Sequence, residues 1–341
     1  MSGIGVGLIG CGAVSGVYLD NAPRLDGVRL VACADLDAQR AQRVADEHGL
    51  AACGVDELLA REDVEVVLCL TPPDHHAAIG HQAIAAGRHF YTEKPLATSV
   101  ADARELLAAA RAAGVLVGCA PDTFLGAGTQ TLKAAIEAGR IGTPAVATIR
   151  LLHAPPERWH PSPAFLYAAL SGPLLDVGPY TVSTAVELFG AVRRVAALAT
   201  RVRETGTAVD GARFEIAEPT RVSAVLEHAA GVLTTVTVTF DANGPARFGV
   251  EVHGGDGTLL GGDPNGFDGP VTLTRHGEPD EPLELVSPWR DNARGLGLQD
   301  LCRAVRDGSP QRASGALGLH VVEVLLAIRD AAREGSVIAI T

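Results

Sequence analysis

Between residues 4 and 119 the chain repeats one phrase: a short, unbroken apolar run, then a stretch with helical spacing. The runs fall at residues 4–9, 28–34, 64–70, 89–91 and 115–119. A strand with one wet face alternates apolar and polar side chains; these runs do not, so both of their faces must be buried. Helices placed between successive strands cover both faces and oblige the strands to run parallel. The spacing predicts a helix through Val14, Val17 and Tyr18, with Pro23 limiting its end, and further helices over 38–48 and 75–86, the latter stopped by Gly87. Another runs to Ala113, with Ser99 as N-cap, Asp102 in its first turn and Gly114 past its end. The expected fold is α/β, a parallel sheet covered on both faces.

Downstream the pattern changes. A helix is expected over 129–138 and a strand over 144–152; from residue 191 most segments are strands of period two, such as 222–226 and 232–240. Two helices, over 296–307 and 317–334, precede a short strand at 336–340. Strands without intervening helices make a mostly antiparallel sheet. The boundary falls near Ala120-Pro121, giving domains 1–120 and 121–341. No long Ser/Pro/Gly linker separates them, so they are expected to share an interface able to hold a ligand.

Composition removes several classes of function. The formal net charge is −12, and no basic stripe exists to neutralise nucleic-acid phosphates. Cys11, Cys33, Cys53, Cys69, Cys119 and Cys302 show no metal-ligand spacing, and most lie in or beside apolar runs, so reduced core thiols are expected and no metal site. The chain enters an apolar strand at Ile4 without a basic leader, and no apolar stretch reaches membrane length. A cytoplasmic protein is expected, bound to neither membrane nor nucleic acid.

The first strand ends in Gly10-Cys11-Gly12-Ala13-Val14-Ser15, and the first helix opens there. Gly10 permits the tight turn, Gly12 lets backbone approach a pyrophosphate, and small Ser15 stands where Gly or Ala is usual. Asp35 closes the second strand, about 20 residues on, where a carboxylate accepts from adenosine ribose hydroxyls. Strand, turn, helix, strand and acid together predict dinucleotide binding. A carboxylate repels a 2′-phosphate and Leu36-Asp37 adds no cation, so NAD is favoured over NADP; Arg40 is the one nearby objection.

Lys94 stands out by composition. It is one of two lysines against 26 arginines, and it sits in Thr92-Glu93-Lys94-Pro95 directly after an apolar run. Arg is always charged, whereas Lys can hold, share or lose a proton. Asp35, Thr71-Pro72, His76, Gly87-Arg88-His89 and Glu93-Lys94-Pro95 are spaced so that nearly the whole chain resembles the Gfo/Idh/MocA family of oxidoreductases. The resemblance implies a Rossmann domain joined to an α+β domain with an open, mostly antiparallel sheet. It implies NAD(P)-dependent oxidation of a sugar or cyclitol hydroxyl, or the reverse reduction, on a small carbohydrate-like substrate. It also puts Glu93 and Lys94 beside the nicotinamide, with Thr71, Pro72 and His76 lining the cofactor, and implies a cis Lys94-Pro95 bond; His76 reads equally as a helix-start histidine satisfied by backbone.

A second signature of that family falls on Ser171-Gly172-Pro173-Leu174-Leu175-Asp176-Val177-Gly178-Pro179-Tyr180. One glycine of a usual triplet survives, Tyr180 stands in place of a common histidine, and Ser183 replaces a frequent aspartate. This tyrosine variant is similar to glucose-fructose oxidoreductase and dimeric dihydrodiol dehydrogenase. If helical, Asp176 and Tyr180 are i,i+4 neighbours that can meet one ligand. A free phenol, with pKa about 10, is too weakly acidic to serve as an efficient base near neutrality, and an ammonium such as Lys94 favours the phenolate. Either Tyr180 handles the proton with Lys94 beside it, or Lys94 does so and Tyr180 positions; Asp176 orients the substrate. Other readings are an NAD-dependent redox-cycling glycoside hydrolase and a non-catalytic cofactor-binding regulator. Finally, 232–240 carries Leu233, Thr235, Thr237 and Thr239 on one face, which suits a sheet half covered by a second copy, so a homo-oligomer is expected.

Overall fold

The computed structural model describes residues 3–168, 171–245 and 247–340. They divide into two compact units: Met1–Asp122 with Asn292–Val322, and Thr123–Asp291 with Glu323–Thr341.

In the first unit, strands β1 (Ile4–Ile9), β2 (Val28–Ala34), β3 (Ala51–Ala52), β4 (Val66–Cys69), β5 (His89–Thr92) and β6 (Val117–Cys119) form one sheet in the order β3-β2-β1-β4-β5-β6. Every pairing is parallel. All of β1, β4 and β6 is buried, as continuous apolar runs require. Helices α1 (Ser15–Asn21), α2 (Ala38–His48), α3 (Val55–Ala60), α4 (His76–Ala85) and α5 (Val100–Ala113) lie between strands. Ser99 caps α5 by accepting from Asp102 N at 3.1 Å, and Gly114 closes it at φ +68°. The short β3 and α3 were not expected; two alanines carry no strand signal.

Register does the positioning. Ile9 lies opposite Ala34 and Cys69, Cys69 opposite Thr92, and Thr92 opposite Cys119. The carboxyl ends of these strands therefore line up, and the segments that follow them leave from one edge. In a doubly wound sheet a ligand belongs at that edge, where the strand order reverses beside β1.

Asn292–Val322 belongs to the first unit, although the sequence boundary assigned it to the second domain. Asp122 supplies the reason. Its Oδ2 accepts from Gly295 N at 2.8 Å and Gly297 N at 2.9 Å, satisfying amides at the start of a helix 173 residues away in the chain, Leu296–Asp307. Gly118 also bridges to Ser314.

The second unit contains α6 (Ala127–Glu137), α7 (Gly172–Asp176) and α8 (Gly178–Phe189), β7 (Pro144–Leu152), β8 (Val192–Thr200), and a two-stranded hairpin of β9 (Thr205–Thr207) and β10 (Arg213–Glu215). Strands β11 (Arg221–His228), β12 (Leu233–Thr239), β13 (Arg247–Gly254), β14 (Thr258–Gly261), β15 (Thr272–Thr274), β16 (Glu281–Pro282) and β17 (Ile338–Ala339) complete it. The nine-stranded sheet runs β16-β15-β14-β13-β7-β12-β11-β8-β17, antiparallel except where β12 pairs with β7. Helix α9 (Leu296–Asp307) and helix α10 (Gly315–Glu334) follow β16 in the chain. The buried face of β11 and β12, which carries Val222, Ala224, Leu226, Thr234, Val236 and Val238, meets α7 and α8. On the opposite face Leu198, Val225, Leu233 and Val146 are 75, 41, 44 and 45% exposed.

Burial pushes the Asp122 carboxyl up to about 6, against the pull of its two amide donors and Arg294; Glu93 adds to the rise. The folded state thus holds this proton more tightly than the unfolded chain, and stability falls as pH rises from about 4 to about 6. The effect is at most about 3 kcal/mol. Denaturant unfolding of wild type and Asp122→Asn across that range checks it: the wild-type curve should fall more steeply, and parallel curves contradict the assignment.

Candidate active site

The glycine turn is held from both sides. Gly10 has φ +99°, and a Cβ there would stand 2.8 Å from the carbonyl carbon of Leu70, so only glycine fits. Gly12 is different: a Cβ there would meet no protein atom within 4 Å. The space that its missing side chain leaves is open, as close approach of a pyrophosphate requires. Ser15 is buried, and its hydroxyl donates to Gly12 O at 2.7 Å, fastening the turn to α1. Ala13 is exposed and Val14 half-buried.

Asp35 follows β2 and reaches back to the turn. Its Oδ2 accepts from Cys11 N at 2.8 Å and its Oδ1 from Asp37 N at 2.8 Å. It does not cap α2; Asp37 does, accepting from Gln39 N and Arg40 N. A carboxylate offers about four acceptor sites, and the two backbone amides take two of those on Asp35. Arg40 Nη1 lies 3.4 Å from both Asp35 oxygens, and its Nη2 3.7 Å from Asp37. The nearby cation is thus occupied by the two acids.

Thr71 and Pro72 follow β4, the first half-buried and the second exposed. Glu93, after β5, is fixed at both oxygens: Tyr18 Oη donates to Oε1 at 2.8 Å and Lys94 N to Oε2 at 3.0 Å. Tyr18 is 2% exposed, and burial with the neighbouring Glu93 pushes its phenol well above its ordinary range, so it remains a donor. Lys94 is half-buried, and its bond to Pro95 is cis. Tyr91, beneath this segment, is fully buried, and its hydroxyl has no hydrogen-bond partner among the described residues.

His76 has the geometry of a helix-start histidine satisfied by backbone. It is 0% exposed, with Nδ1 2.7 Å from Pro95 O and Nε2 2.9 Å from Thr71 O. Both polar atoms of this ring, on the first residue of α4, are engaged by backbone.

In the second unit the stretch around Asp176 and Tyr180 is not one helix. Helix α7 ends at Asp176 and α8 begins at Gly178, with Val177 between them. Pro179 has no N–H to continue the ladder, and Tyr180 N instead donates to Val177 O at 3.2 Å. The i,i+4 relation expected for Asp176 and Tyr180 is therefore replaced by a tighter turn. Asp176 is half-buried and Tyr180 8% exposed. Ser183 is spent on its own helix, donating to Pro179 O at 2.7 Å.

Two residues near these groups were missed by sequence reasoning. Tyr18 had been read only as helix pattern. His153 follows β7 on the inner face after Ala147, Ile149 and Leu151, a placement that the period-two pattern contains. Burial lowers its pKa, opposed by Asp263 and then Asp176, and its Nε2 has no partner among the described residues. In the loop after it, Trp159 is 55% exposed and edge-on to His160 at 5.6 Å.

Comparison with known proteins matches residues 4–120 to an oxidoreductase family with an NAD-binding Rossmann fold, and residues 129–260 to the Gfo/Idh/MocA C-terminal domain. The chain is 30% identical to 1,5-anhydro-D-fructose reductase of Ensifer adhaerens over 269 residues, covering 75% of this chain and 74% of that protein. It is 37% identical to an inositol 2-dehydrogenase of Gluconacetobacter diazotrophicus over 144 residues, 41% of this chain and 43% of that one. The crystal structure of an NAD binding oxidoreductase from Klebsiella pneumoniae superimposes with a TM-score of 0.88 at 24% identity, covering 100% of both chains. With the glycine turn, Asp35 and the Glu93-Lys94 segment in place on this sheet, these matches make the chain a member of the Gfo/Idh/MocA family of NAD-binding oxidoreductases.

Proposed function

We propose that this protein transfers a hydride between NAD and a hydroxyl-bearing carbon of a sugar or cyclitol, or the matching ketone. One observation carries the reading: the glycine turn, Asp35 and Glu93-Lys94 leave the same edge of one parallel sheet, from strands whose ends are in register. The relatives named for 1,5-anhydro-D-fructose and inositol point to a polyhydroxylated ring as substrate. Nothing in the site favours a redox-cycling hydrolase or a binding-only regulator.

The residues present fit the cofactor. Gly12 leaves open space where a phosphate must approach, and Asp35 stands where a carboxylate accepts from ribose hydroxyls and repels a 2′-phosphate. Gly10, Gly12, Ala13, Val14, Ser15, Asp35, Thr71, Pro72 and Glu93 would hold it, with Lys94 at the reacting end. When bound, the nicotinamide gives or takes the hydride. In oxidation Tyr180 acts as phenolate, the form that the Lys94 ammonium favours, and becomes the phenol as it takes the hydroxyl proton; in reduction the phenol returns that proton to the substrate oxygen. Asp176 accepts from a neighbouring substrate hydroxyl and sets its orientation.

Kinetics on 1,5-anhydro-D-fructose with NADH, and on inositols with NAD, test this. Lys94→Ala should lower kcat by about 100- to 10,000-fold with little change in NADH affinity. Tyr180→Phe should do the same; a raised KM with unchanged kcat would make Lys94 itself the proton carrier. Asp35→Ser should weaken NADH binding, read by fluorescence titration, by about 10- to 100-fold and narrow its advantage over NADPH. Equal affinity of the wild type for both cofactors would contradict the role given to Asp35.

The open face of the nine-stranded sheet supports a homo-oligomer. Leu198, Val225, Leu233 and Val146 stand exposed among Thr235, Ser223 and Thr237, an apolar surface that a monomer seldom presents. The six free thiols fit a reducing cytoplasm. Light scattering should give a multimer for the wild type and a smaller species for Leu198→Glu; a monomeric wild type ends this part of the reading.

A further inference from the structure

His76 touches two backbone carbonyls and can satisfy both only when both ring nitrogens carry protons, since a carbonyl oxygen has none to give. Nδ1 is 2.7 Å from Pro95 O and Nε2 is 2.9 Å from Thr71 O. Burial lowers its pKa and favours the neutral ring, against the two carbonyls and Glu93 and with Lys94 on the side of burial. In either state at least one of the two segments is held. The ring also has a rigid base. It is the first residue of α4, and a Cβ on Gly80 in that helix would come within 2.7 Å of Leu106 and 2.8 Å of Phe90, so the helix lies tight against α5 and β5.

Pro95 is the residue after Lys94, and Thr71 is the first residue past the run that ends β4. Each segment also has a hold of its own: Lys94 N donates to Glu93, and Thr71 Oγ1 lies 3.2 Å from Cys69 Sγ. The start of one segment is tied to the other by the bond from Glu93 N to Cys69 O at 3.0 Å, and His76 joins them again through a single side chain.

We propose that His76 is a positioning residue: its two nitrogens fix the Lys94-Pro95 turn and the Thr71 segment relative to one another, so that the ammonium and the cofactor wall keep one spacing. The functional consequence rests on the role given above to Lys94. The clamp itself is read from the lysine directly, without turnover.

The chain's two lysines make that possible. Reductive methylation with 13C-formaldehyde gives side-chain dimethylamine resonances for Lys94 and Lys133 only, beside the α-amine; loss of one in Lys94→Arg assigns it. Lys133, paired with Glu187 at 2.9 Å in the other unit, reports on folding. Asparagine places its amide nitrogen where Nδ1 stands, and glutamine where Nε2 stands. His76→Asn should therefore keep the bond to Pro95 and lose that to Thr71; the Lys94 resonance should stay in place while NADH binding weakens about three- to tenfold. His76→Gln should do the reverse, moving the Lys94 resonance beyond its linewidth with NADH affinity near wild type. Either variant decides the matter alone if the other does not fold. A Lys94 resonance that moves in His76→Asn, or stays put in His76→Gln, overturns the proposal. Loss of turnover in both with the expected resonance pattern would leave the clamp standing and place the fault with the role of Lys94.

Discussion

The parallel pairing of β1 with β2 on one side and β4 on the other is the constraint on which the first unit depends. Ile9 faces Ala34 across one pair and Cys69 across the other, so three loops begin at one level. A one-residue slip in either pair would turn buried side chains to the wrong face, which two-sided burial forbids. The glycine turn and Asp35 become neighbours through that register, and the bond from Cys11 N to Asp35 joins them. The edge is thus an anion- and hydroxyl-binding surface by backbone geometry before any catalytic side chain is considered.

Two acids follow strands that end at this edge, Glu93 half-buried and Asp122 buried. Glu93 is pinned by Tyr18 and by the Lys94 amide, and Asp122 is spent on the start of α9. Burying carboxyl groups is expensive unless donors surround them, and here backbone amides and one phenol supply the donors. Lys94 thus follows an acid whose two oxygens are both engaged and precedes a cis proline.

Much of this was legible from residues. The capped helix after Ser99, the strand end at Ala34, and the pairing of a glycine turn with an acid about 20 residues later follow from local chemistry. Two features were not, and a third stands in the sequence without having been used. Asp122 closing a helix far along the chain has no local signal, because the partner amides belong to Gly295 and Gly297. His76 stayed open between a cofactor contact and a backbone-held ring, because a motif gives residue type and spacing but not what a ring nitrogen touches. The break between α7 and α8 was readable and overlooked: Pro179 lies inside the stretch taken as one helix, and a proline there removes the amide that continuity needs.

Label transfer tests the central claim most directly. NADH deuterated at its transferable nicotinamide position, incubated with 1,5-anhydro-D-fructose, an inosose and related ketoses, should deliver its deuterium to carbon in a reduced product, seen by mass spectrometry in step with NADH consumption. Bound NADH that keeps its label against every such ketone, or a ring cleaved with no net change in cofactor, would contradict the account.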